Sequence, residues 1–302
     1  MGLAAILLVS VSAFMHAGWN TATRKRRPSA AFFLVANTAG AIALPPLLAI
    51  NADRLSHIPP AVWGLLAMTG VAMAVYYAAL AGAYRSGDMS VAYPIARSLP
   101  VLMVAGVEGL LGLGEEVGAF ALGGMALVVA GCLIVPMGRE RGATRPGYFN
   151  ATLALALLTA VGVTGYTFMY REALVALMGS MPTLGKVESM LVYLPLEVLS
   201  ASVFLAPYCL IDKTERESLG RIVRSKKLAA ATTGAAIWGT YILVLVAMAH
   251  SPDASRVAAF RQLSIPLGAL LGVTIVKESA SWAKLAGVAA IFAGLVLVKL
   301  GS

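Results

Sequence analysis

Apolar residues run along this chain for about twenty positions at a time, and short charged or Pro-rich stretches separate the runs. A helix needs about 20 residues to cross a ~30 Å hydrocarbon core, and buried segments of soluble proteins are usually shorter. The pattern predicts ten transmembrane helices, near residues 2–22, 30–50, 61–84, 89–113, 118–137, 147–170, 183–211, 228–249, 254–276 and 282–300. The expected fold class is an all-α integral membrane protein.

Composition points the same way. Of 302 residues, 59% are hydrophobic and 12% charged, about half the charged share of a soluble domain. A formal charge of +9 would suit a nucleic-acid binder, but the Lys and Arg residues fall mostly in short connectors. Connectors after odd-numbered spans hold 16 of the 23, including Arg24–Arg27, Arg85, Arg139–Arg145 and Lys213–Lys227. The opposite side holds four: Arg54, Arg171, Arg256 and Lys299. The positive-inside rule then places the odd connectors in the cytoplasm and both termini outside. The expected location is a plasma membrane, that of the bacterial inner membrane. The first run lacks a basic leader and carries His16, Trp19 and Asn20 where a cleavage site needs small residues, so it is expected to stay as the first helix. Cys132 and Cys209 lie inside apolar runs and give neither a disulfide framework nor a metal-ligand spacing.

The two halves of the chain match each other. An offset of 164 residues lays Tyr77 on Tyr241 and the segment 96–99 on 260–263; an offset of 163 brings Glu115 to Glu278 and Gly131 to Gly294. An offset of 147 matches Gly18-Trp19 to Gly165-Tyr166. The expected domains are two repeats, residues 1–140 and 147–302. Because each holds five spans, an odd number, the second enters the membrane with opposite orientation, giving two inverted five-helix repeats of the kind found in transporters.

Three segments also carry a family resemblance: His16-Ala-Gly-Trp-Asn20, Ala92-Tyr-Pro-Ile-Ala-Arg97, and Arg261-Gln-Leu-Ser-Ile-Pro-Leu-Gly-Ala-Leu-Leu-Gly272 followed by Lys277-Glu278. They resemble EamA domains, two of them over nearly the whole chain, of the drug/metabolite transporter superfamily. The resemblance implies a carrier of amino acids, nucleotide sugars, phosphorylated sugars or drugs, and an exporter rather than an importer. Members of that family usually have both termini in the cytoplasm, the reverse of what Arg24–Arg27 indicates.

Charged groups at membrane depth are costly and mark function. Arg97 and Arg261 lie at matching positions of the fourth and ninth spans, each roughly 10–13 Å along its helix. Inverted repeats would bring both guanidiniums towards the midplane, where a planar fork of donors suits carboxylate, phosphate or phosphonate oxygens. The alternative is that each Arg pairs with a buried Glu or with carbonyls and only holds the bundle together. Candidate cavity-lining residues beside this pair are His16, Trp19, Asn20, Tyr77, Tyr93, Tyr166, Trp238, Tyr241 and Gln262, with Tyr76 and Tyr170 adjoining. Glu108 or Glu197 is expected to carry a coupling proton, since a buried carboxyl can alternate between charged and neutral forms; Lys186 and Glu188 read as interfacial. Pro94, Pro100 and Pro266 are expected to kink the two Arg-bearing helices. Gly268 and Gly272, with Gly106, Gly109 and Gly112, are expected to serve close helix packing.

Rival classes find less support. All four aspartates, Asp53, Asp88, Asp212 and Asp253, fall in connectors, and neither an HExxH nor a GxSxG string occurs, so intramembrane proteolysis has no chemistry. The chain is expected not to be an enzyme and to need no cofactor and no metal. The expected partners are a small-molecule substrate, the lipid bilayer, protons as coupling ion and a second copy of the chain; nucleic acid is not among them. A cargo of cationic drugs or quaternary amines, bound by Glu108, Glu188, Glu197 and aromatic faces, is the alternative within transport.

Overall fold

The computed structural model describes residues 2–23, 29–41, 45–86, 89–112, 118–138, 151–225, 227–251, 254–274 and 281–301. Among them every regular element is helical. Five helices are long and apolar enough to cross a membrane, at Pro60–Ala83, Leu153–Ser180, Lys186–Ile211, Lys227–Ala249 and Trp282–Leu300, and shorter apolar helices cover Leu3–Gly18, Ala30–Ala39 and Ala119–Ile134. The chain is a multi-pass membrane protein.

In chain order the helices are α1 (Leu3–Thr23), α2 (Ala30–Ala41), α3 (Pro45–Ile50), α4 (Ala52–Leu55), α5 (Pro60–Ser86), α6 (Met89–Leu110) and α7 (Ala119–Ile134), with a 3-10 turn at Val135–Gly138. Then come α8 (Ala151–Ser180), α9 (Lys186–Ile211), α10 (Lys213–Ser225), α11 (Lys227–Ala249), α12 (Ala254–Arg261), α13 (Ser264–Thr274) and α14 (Trp282–Leu300). They form two compact units, one from residues 1–27, 83–160 and 240–302, the other from 28–82 and 161–239. Each unit draws on both halves of the sequence, so compactness cuts across the division at residues 140–147.

The first unit is built around a core that includes Val9, Val101, Met125, Cys132, Val257, Phe260, Ile291 and Val298. Cys132 is a packing residue there, as its place in an apolar run suggested. In α1 the outer stripe Leu3, Leu7, Val11 and Phe14 is exposed, while Ala5, Val9, Ala13 and Ala17 are buried. Large apolar side chains outside and small ones inside suit a helix whose surroundings are lipid. The closest packing joins α7 to α14. A Cβ on Gly124 would stand 2.6 Å from the Gly294 carbonyl oxygen, and one on Gly294 would stand 2.6 Å from that of Gly124. Gly131 and Gly287 repeat the relation, at 2.6 and 2.8 Å. The order of these contacts makes the two helices antiparallel.

Four of the five glycines expected to pack closely do not. Among the described residues a Cβ on Gly106, Gly109, Gly112 or Gly268 would meet nothing within 4 Å, and the surroundings of Gly272 lie outside the described residues. Gly112 ends α6 with φ +63°, the left-handed conformation common after a helix C-terminus.

In the second unit Gly162 packs against the Ala72 and Tyr76 backbone, and Gly234 against that of Ala36. Asn37 of α2 donates to the Val198 carbonyl of α9 at 3.0 Å and to Ser202 Oγ at 2.7 Å. α10 was not expected, because it carries no apolar run. Its Glu215 is fully buried, and Oε2 accepts from the Ala31 backbone N–H at 2.8 Å. A carboxylate there satisfies a free donor in the first turn of α2 and opposes its dipole. Glu215→Ala should lower stability by roughly 1–2 kcal/mol, the usual loss of a cap, read as a fall in the apparent Tm of the purified protein, with Glu217→Ala on the exposed side unchanged.

Two helices depart from the expected spans. α8 continues to Ser180, which takes Arg171 and Glu172 out of the connector and into the helix. The ninth span is broken into α12 and α13 at Gln262-Leu263. The reason is Pro266, whose ring conflicts with the carbonyl four residues back, that of Gln262, and which has no N–H to give it. Ile265 N–H takes that carbonyl instead, at 2.9 Å. α6, by contrast, runs unbroken through Pro94 and Pro100.

Candidate functional site

The first unit gathers the basic candidates. Arg97 lies eight residues into α6, and Arg261 is the last residue of α12, at the break. Nη2 of Arg97 donates to Ser264 Oγ at 3.2 Å, and Ser264 Oγ donates to the Arg261 carbonyl at 2.9 Å. Arg97 is thus tied to the segment that carries its counterpart. Both guanidiniums also lie within electrostatic reach of the partly buried His16 ring on α1. Arg97 on α6 and Arg261 on α12 thus both act electrostatically on His16 of α1.

The residues after the two arginines match as well. Ser98 is fully buried and Gln262 is 4% exposed. Among the described residues, Ser98 Oγ and Gln262 Oε1 find no hydrogen-bond partner, although Gln262 Nε2 donates to the Ala258 carbonyl at 3.1 Å. Buried polar atoms without partners are uncommon and need an explanation. A third arginine, Arg256 on α12, is only 3% exposed. Counted from sequence among the charges of one membrane side, at the start of the expected ninth span, it stands in the first turn of a helix only eight residues long. Glu108 is buried in α6, and Tyr241 is partly buried in α11. The side chains of Trp19, Asn20 and Tyr93 lie outside the described residues.

The second unit holds the aromatic candidates. Tyr77 stacks on Phe33 with centroids 5.0 Å apart and meets Tyr76 at 4.7 Å; Tyr76 meets Tyr166 edge-on at 5.9 Å. Tyr170 and Tyr193 form a T-shaped pair at 5.6 Å, and the Tyr193 hydroxyl is hydrogen-bonded to Thr69 Oγ1 at 2.8 Å. Glu197, fully buried on α9, lies within electrostatic reach of Tyr77, Tyr170 and Tyr193. Trp238 is buried in the same unit. Lys186 and Glu188 are exposed at the start of α9, where Glu188 accepts from the Gly185 N–H at 2.8 Å. Glu188 thus caps the helix N-terminus. The basic candidates thus lie in the first unit, together with Glu108 and Tyr241, and the tyrosine cluster with Glu197 lies in the second.

Comparison with known proteins extends these observations. A solved crystal structure with 17% sequence identity covers 98% of this chain and 97% of its own, at a TM-score of 0.66, so the fold as a whole is a known one. No curated protein matches the sequence. Residues 3–137 match the EamA-like transporter family, whose members are transporters rather than enzymes. Over that segment the chain is similar to the EamA-like transporter family, in keeping with a membrane transporter of the drug/metabolite transporter superfamily.

Proposed function

We propose that this chain is a secondary active transporter that moves a small polar metabolite with an acidic group, an amino acid or another organic anion or zwitterion, by alternating access. It acts as an exporter in a bacterial inner membrane, driven by protons or by exchange. The observation that carries this reading is that Arg97 and Arg261, 164 residues apart in the sequence, both lie within electrostatic reach of His16, with Ser264 bridging the Arg97 guanidinium to the Arg261 carbonyl. Positive charge gathered at membrane depth favours a negative ligand, and guanidinium matches carboxylate or phosphonate oxygens with two parallel bonds. The unpartnered Ser98 Oγ and Gln262 Oε1 supply an acceptor–donor hydroxyl and an acceptor beside the arginines. The interruption between α12 and α13 is of the kind that lines substrate sites in transporters.

Ten spans in two inverted repeats remain our reading of the topology. Helices occur at all ten expected positions, the ninth in two pieces. The seam supports inversion: Gly124 and Gly287 are 163 residues apart, as are Gly131 and Gly294, and each packs against the other's counterpart. An in-plane two-fold axis requires that crossed pattern.

Glu197 is the better candidate for the coupling proton, being fully buried among tyrosines. In proteoliposomes Glu197→Gln should abolish uptake driven by a pH gradient while leaving exchange of cargo at equal pH. If both Glu197→Gln and Glu108→Gln leave gradient-driven uptake intact, neither carboxyl carries the proton. A second reading rests on the same cluster. A carboxylate within electrostatic reach of Tyr77, Tyr170 and Tyr193 also suits an ammonium group, and a cationic cargo would then bind there and ignore the arginines.

A further inference from the structure

α10 lies between α9 and α11, both long and apolar enough to cross a membrane. It is therefore held where those helices leave the hydrocarbon. On a 3.6-residue period Glu215, Leu219 and Ile222 share one side, while Lys213, Arg216, Arg221 and Arg224 share the other, with Lys227 a turn beyond. Glu215 and Ile222 are buried, and all five cations are exposed. The rotation of the helix is fixed at both ends of one residue: Glu215 Oε2 accepts from Ala31 N–H, and Glu215 N–H donates to Asp212 Oδ1, each at 2.8 Å.

Within α10, Glu217 is the one acid on the outer side, so its four cations leave that face at +3, with Lys227 at the start of α11 adding to the charge. Gly220 on the same side adds no side chain and has open space around it. Val223, 53% exposed, gives the face an apolar edge beside Arg216. We propose that this face binds the headgroups of anionic phospholipids. The cations diverge from a convex helix over about 20 Å, so one small anion cannot satisfy them together, whereas a sheet of phosphodiesters can. Basic residues beside a membrane gain from such a surface, and an apolar edge with cationic flanks is the usual form of an interfacial helix. Lipid held there also holds Glu215 against the first turn of α2.

The test titrates the full-length, detergent-solubilised protein at low salt with dioctanoyl phosphatidylglycerol, with dioctanoyl phosphatidylcholine and with inorganic phosphate, reading the half-saturating concentration for the rise in apparent Tm. Phosphatidylglycerol alone should stabilise the protein. The combined variant Arg216→Gln, Arg221→Gln, Arg224→Gln should need roughly fivefold more of it per charge removed, and Glu217→Gln should need less than the unaltered protein. Equal half-saturation in the unaltered and triply substituted proteins overturns the proposal, as does equal stabilisation by phosphate or by phosphatidylcholine. Should the triple variant not fold, an unchanged half-saturation in Glu217→Gln overturns it alone.

Discussion

Replacing Arg97 or Arg261 by Gln is expected to weaken binding of an acidic cargo by roughly 10- to 100-fold, and replacing both to abolish it. The magnitude follows from hydrogen bonds to charged groups, worth about 1.5–3 kcal/mol each. Lys at either position keeps the charge but loses the fork, so it should recover only part of the affinity. Arg97→Gln also removes the donor to Ser264 Oγ, which leaves Ser264 on the Arg261 carbonyl alone. The measurement is a thermal-shift screen of carboxylates, phosphonates, amino acids and quaternary amines against the unaltered protein and both variants, since ligands that bind the folded state raise its apparent stability. Stabilisation by acids that vanishes in the variants supports the anion site. Stabilisation by quaternary amines that survives in them moves the cargo to the Glu197 cluster.

The second large effect is expected where α7 crosses α14. Gly131→Ala places a methyl group 2.6 Å from the Gly287 carbonyl oxygen and 2.9 Å from Ile291 N. Those atoms belong to the backbone of another helix and cannot swing aside. Overpacking costs typically about 1–3 kcal/mol, and rigid backbone on both sides puts this site at the upper end, so the apparent Tm should fall by several degrees. Gly124→Ala should do the same, and Gly268→Ala, which meets nothing within 4 Å, should be neutral or slightly stabilising as better helix formers usually are. Equal melting temperatures for Gly131→Ala and Gly268→Ala would falsify the seam.

That contrast shows what a single sequence can and cannot reveal about this fold. Apolar run length gave the long helices: α14 spans Trp282–Leu300 against an expected 282–300, and α11 Lys227–Ala249 against 228–249. An internal offset picked out Arg97 and Arg261, and the fold ties the first to the segment that carries the second through Ser264. The packing glycines were not legible, since whether a glycine is crowded depends on the partner helix. Gly268 and Gly272 have the familiar spacing, yet the α7–α14 seam is built on Gly124, Gly131, Gly287 and Gly294, seven apart along each helix. α10 escaped a search for apolar runs, although the spacing of Glu215, Leu219 and Ile222 carries its period; a buried Glu hid that stripe. The break at Gln262-Leu263 was signalled by Pro266, but the same signal at Pro94 and Pro100 left α6 intact. Whether a proline interrupts a membrane helix depends on which neighbours take the freed carbonyl.

In an isologous dimer, residue i of one copy meets j of the other while j meets i. Gly124 on Gly294 and Gly131 on Gly287 have that form within one chain, with α7 and α14 in the place of two subunits. Either helix alone would present a groove of bare backbone that the other fills. The covalent chain between α7 and α14 holds the two faces of that contact at one to one.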